Sequence, residues 1–161
     1  MTDSPTANPE TDRPAGPPAI GVDVGGSKIA AGVVDEDGNV LEEIRGETPV
    51  TSAEAVEDGV LRVVKDLRGR HEVRSVGVAV PGFVDEQRAR VRFTPNLPMR
   101  DRPIRDALSS RIGLPVLVEN DANAAAWGEF AFGAGEDTDD LLLVTVGTGV
   151  GGGIVHHGQL Y

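Results

Sequence analysis

The pattern of apolar and polar positions predicts an antiparallel meander of three strands at the start of the fold. The segments AIGVDVGG and SKIAAGVVDEDGNVLEEIR, which run from Ala19 to Arg45, have strand composition. Residues 35–39 (DEDGN) lie between two apolar runs and supply turn residues, and Gly38 can adopt a positive φ.

Helical spacing indicates three helices. The first covers about 52–68, where Thr51 and Glu54 have the spacing of a capping box. The second covers 103–112 and ends at Gly113, and the third begins at 121 and ends at Gly133. Trp127, Phe130 and Ala131 follow helical spacing in the third helix and are predicted core residues, not a cofactor site.

Several short segments are almost wholly apolar. Residues 74–80 and 115–120 predict buried central strands, because a strand that is apolar on both faces is covered on both faces. Residues 83–93 predict a hairpin, followed by the loop 94–98. Residues 141–146 predict a last strong strand, and the residues after the next glycine loop favour another strand. The fold class is therefore α/β.

Composition narrows the classes of function. The chain has 161 residues and a formal charge of −11, which disfavours nucleic acid and anionic membrane surfaces as partners. It has no Cys, which excludes disulfides and a thiol nucleophile within these residues. No apolar run reaches the roughly 20 residues of a membrane span, and no signal peptide is evident, so we expect a cytoplasmic protein. Residues 1–18 hold five of the 11 prolines and predict a disordered tail.

A first glycine turn lies between two predicted strands at Asp23-Val24-Gly25-Gly26-Ser27-Lys28. Paired glycines let backbone amides approach a ligand, Asp23 could orient a metal-bound water, and Ser27 and Lys28 could donate to phosphate. The Walker pattern fails, because Ser27 stands where its lysine should be and a strand follows. An ordinary Gly-Gly hairpin remains the alternative.

A second glycine segment, Gly147-Thr148-Gly149-Val150-Gly151-Gly152, follows the last strong strand. It satisfies GxGxxG formally, but a strand rather than a helix is expected next, which weakens a dinucleotide-binding interpretation. Five glycines in seven residues exceed what a structural turn needs, so we favour a loop that wraps phosphate oxygens through its amides.

The polar cluster Asn120-Asp121-Ala122-Asn123 lies where a buried strand meets a helix N-terminus. Ligands of open α/β sheets bind outside the carboxyl ends of strands, and the helix dipole would keep Asp121 ionised and able to accept a proton. Simple capping by Asn and Asp is the alternative. Asn96 is either a turn residue or a polar contact into a cleft.

The histidines do not predict a metal site. His156 and His157 are adjacent, so on a strand they would face opposite sides and could not readily share a metal. His71 is expected at the surface.

Five segments together resemble the ROK family of sugar kinases and repressors, and within it most closely the bacterial (actinobacterial-type) glucokinases. They occur in the family's order and are IGVDVGGSKIAAGVVD (20–35), VGVAVPGFVD (76–85), TPNLP (94–98), VENDANAAAWGE (118–129) and GTGVGGGIV (147–155). The resemblance covers nearly all of residues 19–161.

The resemblance implies the actin-like ATPase (ribonuclease H-like) fold, with a small domain at 19–119 and the beginning of a large ATP- and sugar-binding domain at 120–161. It implies magnesium-dependent transfer of the γ-phosphoryl group of ATP to a hexose, at the 6-hydroxyl of glucose. It also implies a homo-oligomer for the complete protein.

Individual roles follow from the same resemblance. The first phosphate motif comprises Asp23, Gly25, Gly26, Ser27 and Lys28, with Ser27 in place of the more usual Thr. The second comprises Gly147, Thr148, Gly149 and Gly151. The sugar-binding residues are Asn96, Asn120 and Asp121. Asp121 is the catalytic base.

The sequence also indicates the N-terminal part of a longer protein, since residues 141–161 form an apolar end without any Asp, Glu, Lys or Arg. In the family, a further sugar-binding Glu, a zinc cluster, the adenosine pocket and a helix that returns to the small domain come later in the chain. We therefore expect little activity from these residues alone. The alternatives are a sugar-sensing regulator of the same family, disfavoured by the short segment before Ile20, and a non-catalytic sugar-binding module.

Overall fold

The computed structural model describes residues 16–147 and 149–161. Most of the predicted disordered tail, residues 1–15, lies outside the described residues, as does Thr148. The last residues of that tail contact the body of the protein. Gly16 N–H donates to Glu36 Oε2 at 3.3 Å, and Pro18 C=O accepts from Arg74 N–H at 2.9 Å.

The described residues form eleven strands and three helices. In chain order they are β1 (Ala19–Val24), β2 (Lys28–Val34), β3 (Val40–Glu47), α1 (Ala53–Arg68), β4 (Ser75–Val80), β5 (Phe83–Val84), β6 (Val91–Phe93), β7 (Arg100–Arg102), α2 (Ile104–Ile112), β8 (Val116–Asn120), α3 (Asp121–Phe132), β9 (Leu141–Val146), β10 (Val150–His156) and β11 (Gln159–Leu160). None of these helices is long and apolar enough to cross a membrane.

The main sheet has the order β3-β2-β1-β4-β8. Strands β1, β2 and β3 form the predicted antiparallel meander, whereas β1, β4 and β8 run parallel. The register aligns Asp23 with Ala79, and Ala79 with Glu119. The carboxyl ends of three parallel strands therefore meet at one edge of the sheet, which confirms the α/β class.

Helices α1 and α2 cover one face of this sheet. The α1 side chains Val56, Val60 and Leu67 are buried in the core, at helical spacing. The helix begins one residue later than the predicted capping box implies. Its N-cap is Ser52, not Thr51, and Ser52 Oγ accepts from Ala55 N–H at 3.1 Å. Helix α2 ends as predicted at Gly113, which has a φ of 74°.

The opposite face of the main sheet is open in the described chain. It carries glycines and other small residues, among them Gly21 and Gly77, and Leu117 there is 47% exposed. A groove of about 870 Å³ runs between this face and Trp127 of α3. The prediction that β4 and β8 are covered on both faces is therefore wrong for the described residues. Small residues such as Gly77 make the segments apolar in sequence, but no other element of the described chain covers the face that carries them.

A second sheet, β9-β10-β11, packs against α3. Helix α3 buries only Ala122 and Ala126, while Trp127 is 43% and Phe132 is 53% exposed. Trp127 is therefore not the core residue that helical spacing predicted. The close contact runs through small residues: a Cβ built on Gly153 would lie 2.5 Å from Ala126 Cβ.

A third sheet, β5-β6-β7, contains the predicted hairpin and adds β7 to it. Gly82, which precedes the hairpin, has a φ of 158°, and any Cβ there would collide with Phe93 C=O and Thr94. The glycine therefore lets the turn after β4 lie directly against the end of β6 and against Thr94.

Candidate functional site

Acidic and amide side chains gather at the carboxyl edge of the parallel strands. Asp23 lies near the end of β1, Asn120 ends β8, and Asp121 is the first residue of α3. Partial burial raises the pKa of the Asp23 carboxyl, and the charge of Asp121 raises it further. The two carboxylates therefore share one electrostatic environment, which a bound cation would stabilise.

The first glycine turn joins β1 to β2 and is held by hydrogen bonds from Thr48, the residue that follows β3. Gly25 N–H donates to Lys28 C=O at 2.9 Å, while Thr48 donates through its hydroxyl to Gly25 C=O at 2.8 Å and through its N–H to Ser27 C=O at 3.0 Å. A Cβ on Gly25 would lie 2.9 Å from Lys28 C=O, so the turn itself requires this glycine. Gly26, Ser27 and Lys28 are exposed.

Asn96 lies beside this turn. Its loop is folded by Thr94, whose hydroxyl donates to Leu97 C=O at 2.6 Å and whose N–H donates to Met99 C=O at 3.3 Å. Leu97 and Met99 are buried, whereas Asn96 is exposed at the tip. A Cβ built on Gly26 would lie 3.7 Å from Asn96 Cβ. The structure thus brings the candidate sugar loop and the candidate phosphate turn together.

The side chain of Asn120 is the N-cap of α3. Its Oδ1 accepts from Asn123 N–H at 3.0 Å, and its Nδ2 donates to Gly82 C=O at 2.9 Å and to Asp121 Oδ1 at 3.0 Å. The capping alternative is therefore correct for Asn120. Its predicted contact with a sugar stays a prediction.

Asp121 is held at the helix start with one oxygen left over. Its Oδ1 accepts from Ala122 N–H at 2.9 Å and from the Asn120 amide. No described residue donates to Oδ2, and the side chain is exposed. The second oxygen is therefore free to accept a proton or a hydrogen bond from a ligand hydroxyl.

Glu119 supports this site and was missed by sequence reasoning. Its Oε1 accepts from Asn120 N–H at 2.8 Å and from Asn123 Nδ2 at 3.1 Å, and its Oε2 pairs with Arg88 Nε at 2.9 Å. Arg88 lies in the loop between β5 and β6 and has a φ of 51°. A lone acid near the end of an otherwise apolar strand was the available signal.

The second glycine segment divides into two parts. Gly147 and Gly149 are exposed, and a Cβ on either would meet nothing within 4 Å. Gly151 and Gly153 instead lie beneath α3, where a Cβ on Gly151 would come 3.1 Å from Ala122 Cβ. The argument that a structural role could not need so many glycines is therefore wrong for Gly151 and Gly153. Gly147, Gly149 and, through its backbone, Gly151 remain candidates for phosphate.

The histidine pair also differs from the prediction. His156 ends β10, but His157 has a φ of 49° in the following turn, so strand alternation does not separate the two side chains. Their ring centroids are 4.0 Å apart, and both residues contact Asp140. The third histidine, His71, is partly buried against Glu42.

In the main sheet, an antiparallel meander of β1 to β3 is continued by the parallel strands β4 and β8, with acidic residues at the carboxyl edge. This arrangement defines a protein of the actin-like ATPase fold. The chain belongs to the ROK family, whose sequence model matches residues 19–161.

Relatives and solved structures agree with this assignment. The chain is 50% identical over 136 residues to a glucokinase of Streptomyces coelicolor, covering 84% of this chain and 43% of that protein. It is 41% identical over 145 residues to a glucokinase of Thermotoga maritima, covering 88% and 45%. A crystal structure of a Streptomyces griseus ROK family glucokinase, in complex with glucose and AMPPNP, superposes with a TM-score of 0.85 at 49% identity, covering 89% of this chain and 46% of that one. The chain therefore spans less than half the length of these relatives.

Proposed function

We propose that this chain carries the catalytic base and the phosphate-binding turns of an ATP-dependent hexose kinase that phosphorylates glucose at its 6-hydroxyl. The observation that carries the proposal is the placement of Asp121. It begins α3 at the carboxyl edge of the parallel strands, with one carboxylate oxygen free of described partners. The Streptomyces relatives named as glucokinases, one of them bound to glucose and AMPPNP, support the same activity.

Asp121 would align the attacking hydroxyl and accept its proton. Phosphoryl transfer requires mainly positioning and charge stabilisation, with one carboxylate directing the nucleophile. The sugar oxygen bonds to the γ-phosphorus as the bond to the leaving ADP oxygen breaks, and the hydroxyl proton passes to Asp121 Oδ2. Asn96, at the tip of its loop beside Gly26, and Asn120 are the proposed contacts to the sugar hydroxyls.

The donor phosphates would lie over the two glycine segments. The N–H groups of the first turn and the exposed cation of Lys28 suit phosphate oxygens, and Ser27 adds a hydroxyl. The proposed second phosphate loop comprises Gly147, Thr148, Gly149 and Gly151. Gly151 would take part through its backbone, since the space beside it is filled by Ala122 of α3. Asp23, whose carboxylate feels the charge of Asp121, would hold Mg²⁺ directly or through a bound water, which leaves Asp121 Oδ2 free to accept the proton. When bound, Mg²⁺ would offset charge on the transferring phosphoryl group.

The test compares MgATP-dependent glucose phosphorylation by this chain and by a version extended through the downstream reading frame. We expect activity in the extended version only, because the relatives are more than twice as long as the segment matched here. Asp121→Asn in the extended version should lower kcat by about 10² to 10⁴ while glucose affinity, measured by calorimetry, changes little. Asp58→Asn, on the exposed side of α1, is the matched control.

Two outcomes would contradict the proposal. Equal loss of binding and turnover in Asp121→Asn would make Asp121 a structural residue of the helix start. Sugar binding without phosphorylation by the extended wild type, with several hexoses tried, would favour a sugar-sensing regulator or a sugar-binding module.

A further inference from the structure

A compact group of potential metal ligands lies at the turn between β10 and β11. It consists of Asp140, His156 and His157, here called the Asp-His-His cluster, and one ligand atom from each lies within 4.8 Å of the others. His156 Nδ1 is 2.7 Å from Asp140 Oδ1, and the same oxygen accepts from His157 N–H at 2.9 Å. Side chains of Asp140 and His156 are 60% and 58% exposed.

The turn that presents the cluster has an unusual residue in its first position. His157 and Gly158 have φ angles of 49° and 71° and connect the paired residues His156 and Gln159. A two-residue hairpin turn with both φ angles positive strongly favours Asn-Gly or Asp-Gly, and positive φ is uncommon for other residues. The hydrogen bond from His157 N–H to Asp140 stabilises this conformation, which places the second ring 4.0 Å from the first.

The donor set is chemically suited to a borderline transition metal. Two imidazoles and one carboxylate are frequent ligands of Zn²⁺ and of its neighbours in the first transition row. Bonds of about 2.0–2.1 Å to such an ion require ligand atoms roughly 3–3.5 Å apart. Rotation of exposed side chains can bring the three atoms from their present separations to that spacing, since no packing in the core constrains them.

We propose that the Asp-His-His cluster is a surface binding site for a divalent transition-metal ion of the Zn²⁺ and Ni²⁺ class. It is separate from the candidate kinase site. His156 is five residues along β10 from Gly151, a span of about 17 Å at the usual strand rise. The proposal therefore does not depend on the kinase function.

Calorimetric titration of the 161-residue chain with Zn²⁺ alone, and with Ni²⁺ alone, tests the site directly. The chain contains no Cys and only one further histidine, His71, so few competing sites exist in the sequence. We expect one equivalent of metal to bind, with affinity lowered at least about tenfold in His156→Gln and in His157→Asn, a loss of about 1.4 kcal/mol. Asn at 157 suits the turn and so preserves the hairpin.

His71→Gln is the matched control, because it removes a histidine in the loop after α1, where it pairs with Glu42 of β3. It should bind metal as the wild type does. A second measurement, the visible absorption of added Co²⁺, should appear in the wild type and be lost in His156→Gln. Circular dichroism of each variant without metal verifies folding. Absence of binding in the folded wild type, or equal binding by the cluster variants and by His71→Gln, would overturn the proposal.

Discussion

Arg102 donates to the buried carboxylate of Glu57 through two nitrogens, from Nε to Oε1 at 2.6 Å and from Nη2 to Oε2 at 3.0 Å. Glu57 lies on α1 and is 2% exposed, whereas Arg102 ends β7 and follows the loop that carries Asn96. This bidentate ion pair therefore anchors the sheet β5-β6-β7, which carries the candidate sugar loop, to the main core.

Breaking this pair from one side should be costly. Arg102→Met leaves a buried carboxylate without its partner, and we expect the free energy of unfolding to fall by about 3 kcal/mol or more. The double variant Glu57→Met/Arg102→Met should recover most of that loss, because no buried charge remains. Urea denaturation of each variant measures both effects.

Glu54 provides the control for this experiment. It also pairs with Arg102, at 2.8 Å, but its side chain is 64% exposed. Glu54→Gln should cost little, as exposed ion pairs do. A similarly small cost for Arg102→Met would mean that Glu57 does not depend on this arginine.

The partial burial of Asp23, together with the charge of Asp121, should make stability depend on pH. The pKa of Asp23 is higher in the folded state than its ordinary value, through partial burial and the charge of Asp121. A carboxyl of this kind destabilises the fold once ionised, so its contribution worsens as pH rises from the ordinary value through the raised one. Asp23→Asn should therefore be more stable than the wild type at pH 7 and equally stable near pH 3.

Denaturant midpoints at both pH values measure this difference. Asp137→Asn removes an equal charge from an exposed loop, and so it corrects for the general repulsion of a chain with a net charge of −11. The same gain in both variants at pH 7 would show that net charge, and not the pair of acids, is responsible.

Local patterns in the sequence predicted most elements of this fold. The meander, the three helices, the hairpin and the stop at Gly113 follow from alternation, helical spacing and turn residues, which act over a few positions. The open face of the main sheet could not be predicted in this way. Gly21 and Gly77, which lie on that face, count as apolar positions in the pattern just as buried residues do. Whether such a face is covered depends on packing between distant segments.

The candidate site was predictable only in part. Asp121 and the first glycine turn stand out as polar or glycine-rich residues at strand ends. Glu119 did not, because its role depends on Arg88, 31 positions earlier in the chain, whose side chain reaches it only after folding. His157 was misplaced because strand alternation was extended one residue too far, into a turn.

Glu119 should act as a positioning residue for the start of α3. In Glu119→Gln the amide oxygen can still accept from Asn120 N–H, but the new NH₂ group faces the Arg88 guanidinium. We expect a loss of about 1–2 kcal/mol in stability. In the extended protein kcat should fall more than KM rises, since Asp121 is the residue displaced.

A double-mutant cycle with Arg88→Gly isolates the pair. Glycine removes the ion pair and also suits the backbone φ of 51°. If the pair carries the effect, Arg88→Gly should cost little further in the Glu119→Gln background. Fully additive losses would show that Glu119 acts through its helix-start hydrogen bonds alone.

The glycines after β9 should separate into a packing group and a ligand group. In Gly153→Ala the new Cβ would lie 2.5 Å from Ala126 Cβ and 2.7 Å from Ala122 C=O, so α3 must move away from β10. We expect a destabilisation of about 1–3 kcal/mol, as overpacked cores show. In Gly147→Ala the new Cβ meets nothing within 4 Å, so stability should be unchanged or slightly higher.

Gly147→Ala should impair kinase activity without affecting stability, and Gly153→Ala should do the reverse. In the extended protein, Gly147→Ala places a methyl group where the loop amides would approach the donor phosphates, so KM for ATP should rise while the melting temperature holds. Gly153→Ala should lower the melting temperature while leaving KM for ATP near the wild-type value at temperatures where the protein is folded. Unchanged ATP kinetics in Gly147→Ala would remove this glycine from the phosphate loop and leave Gly149, Gly151 and the first turn as the remaining candidates.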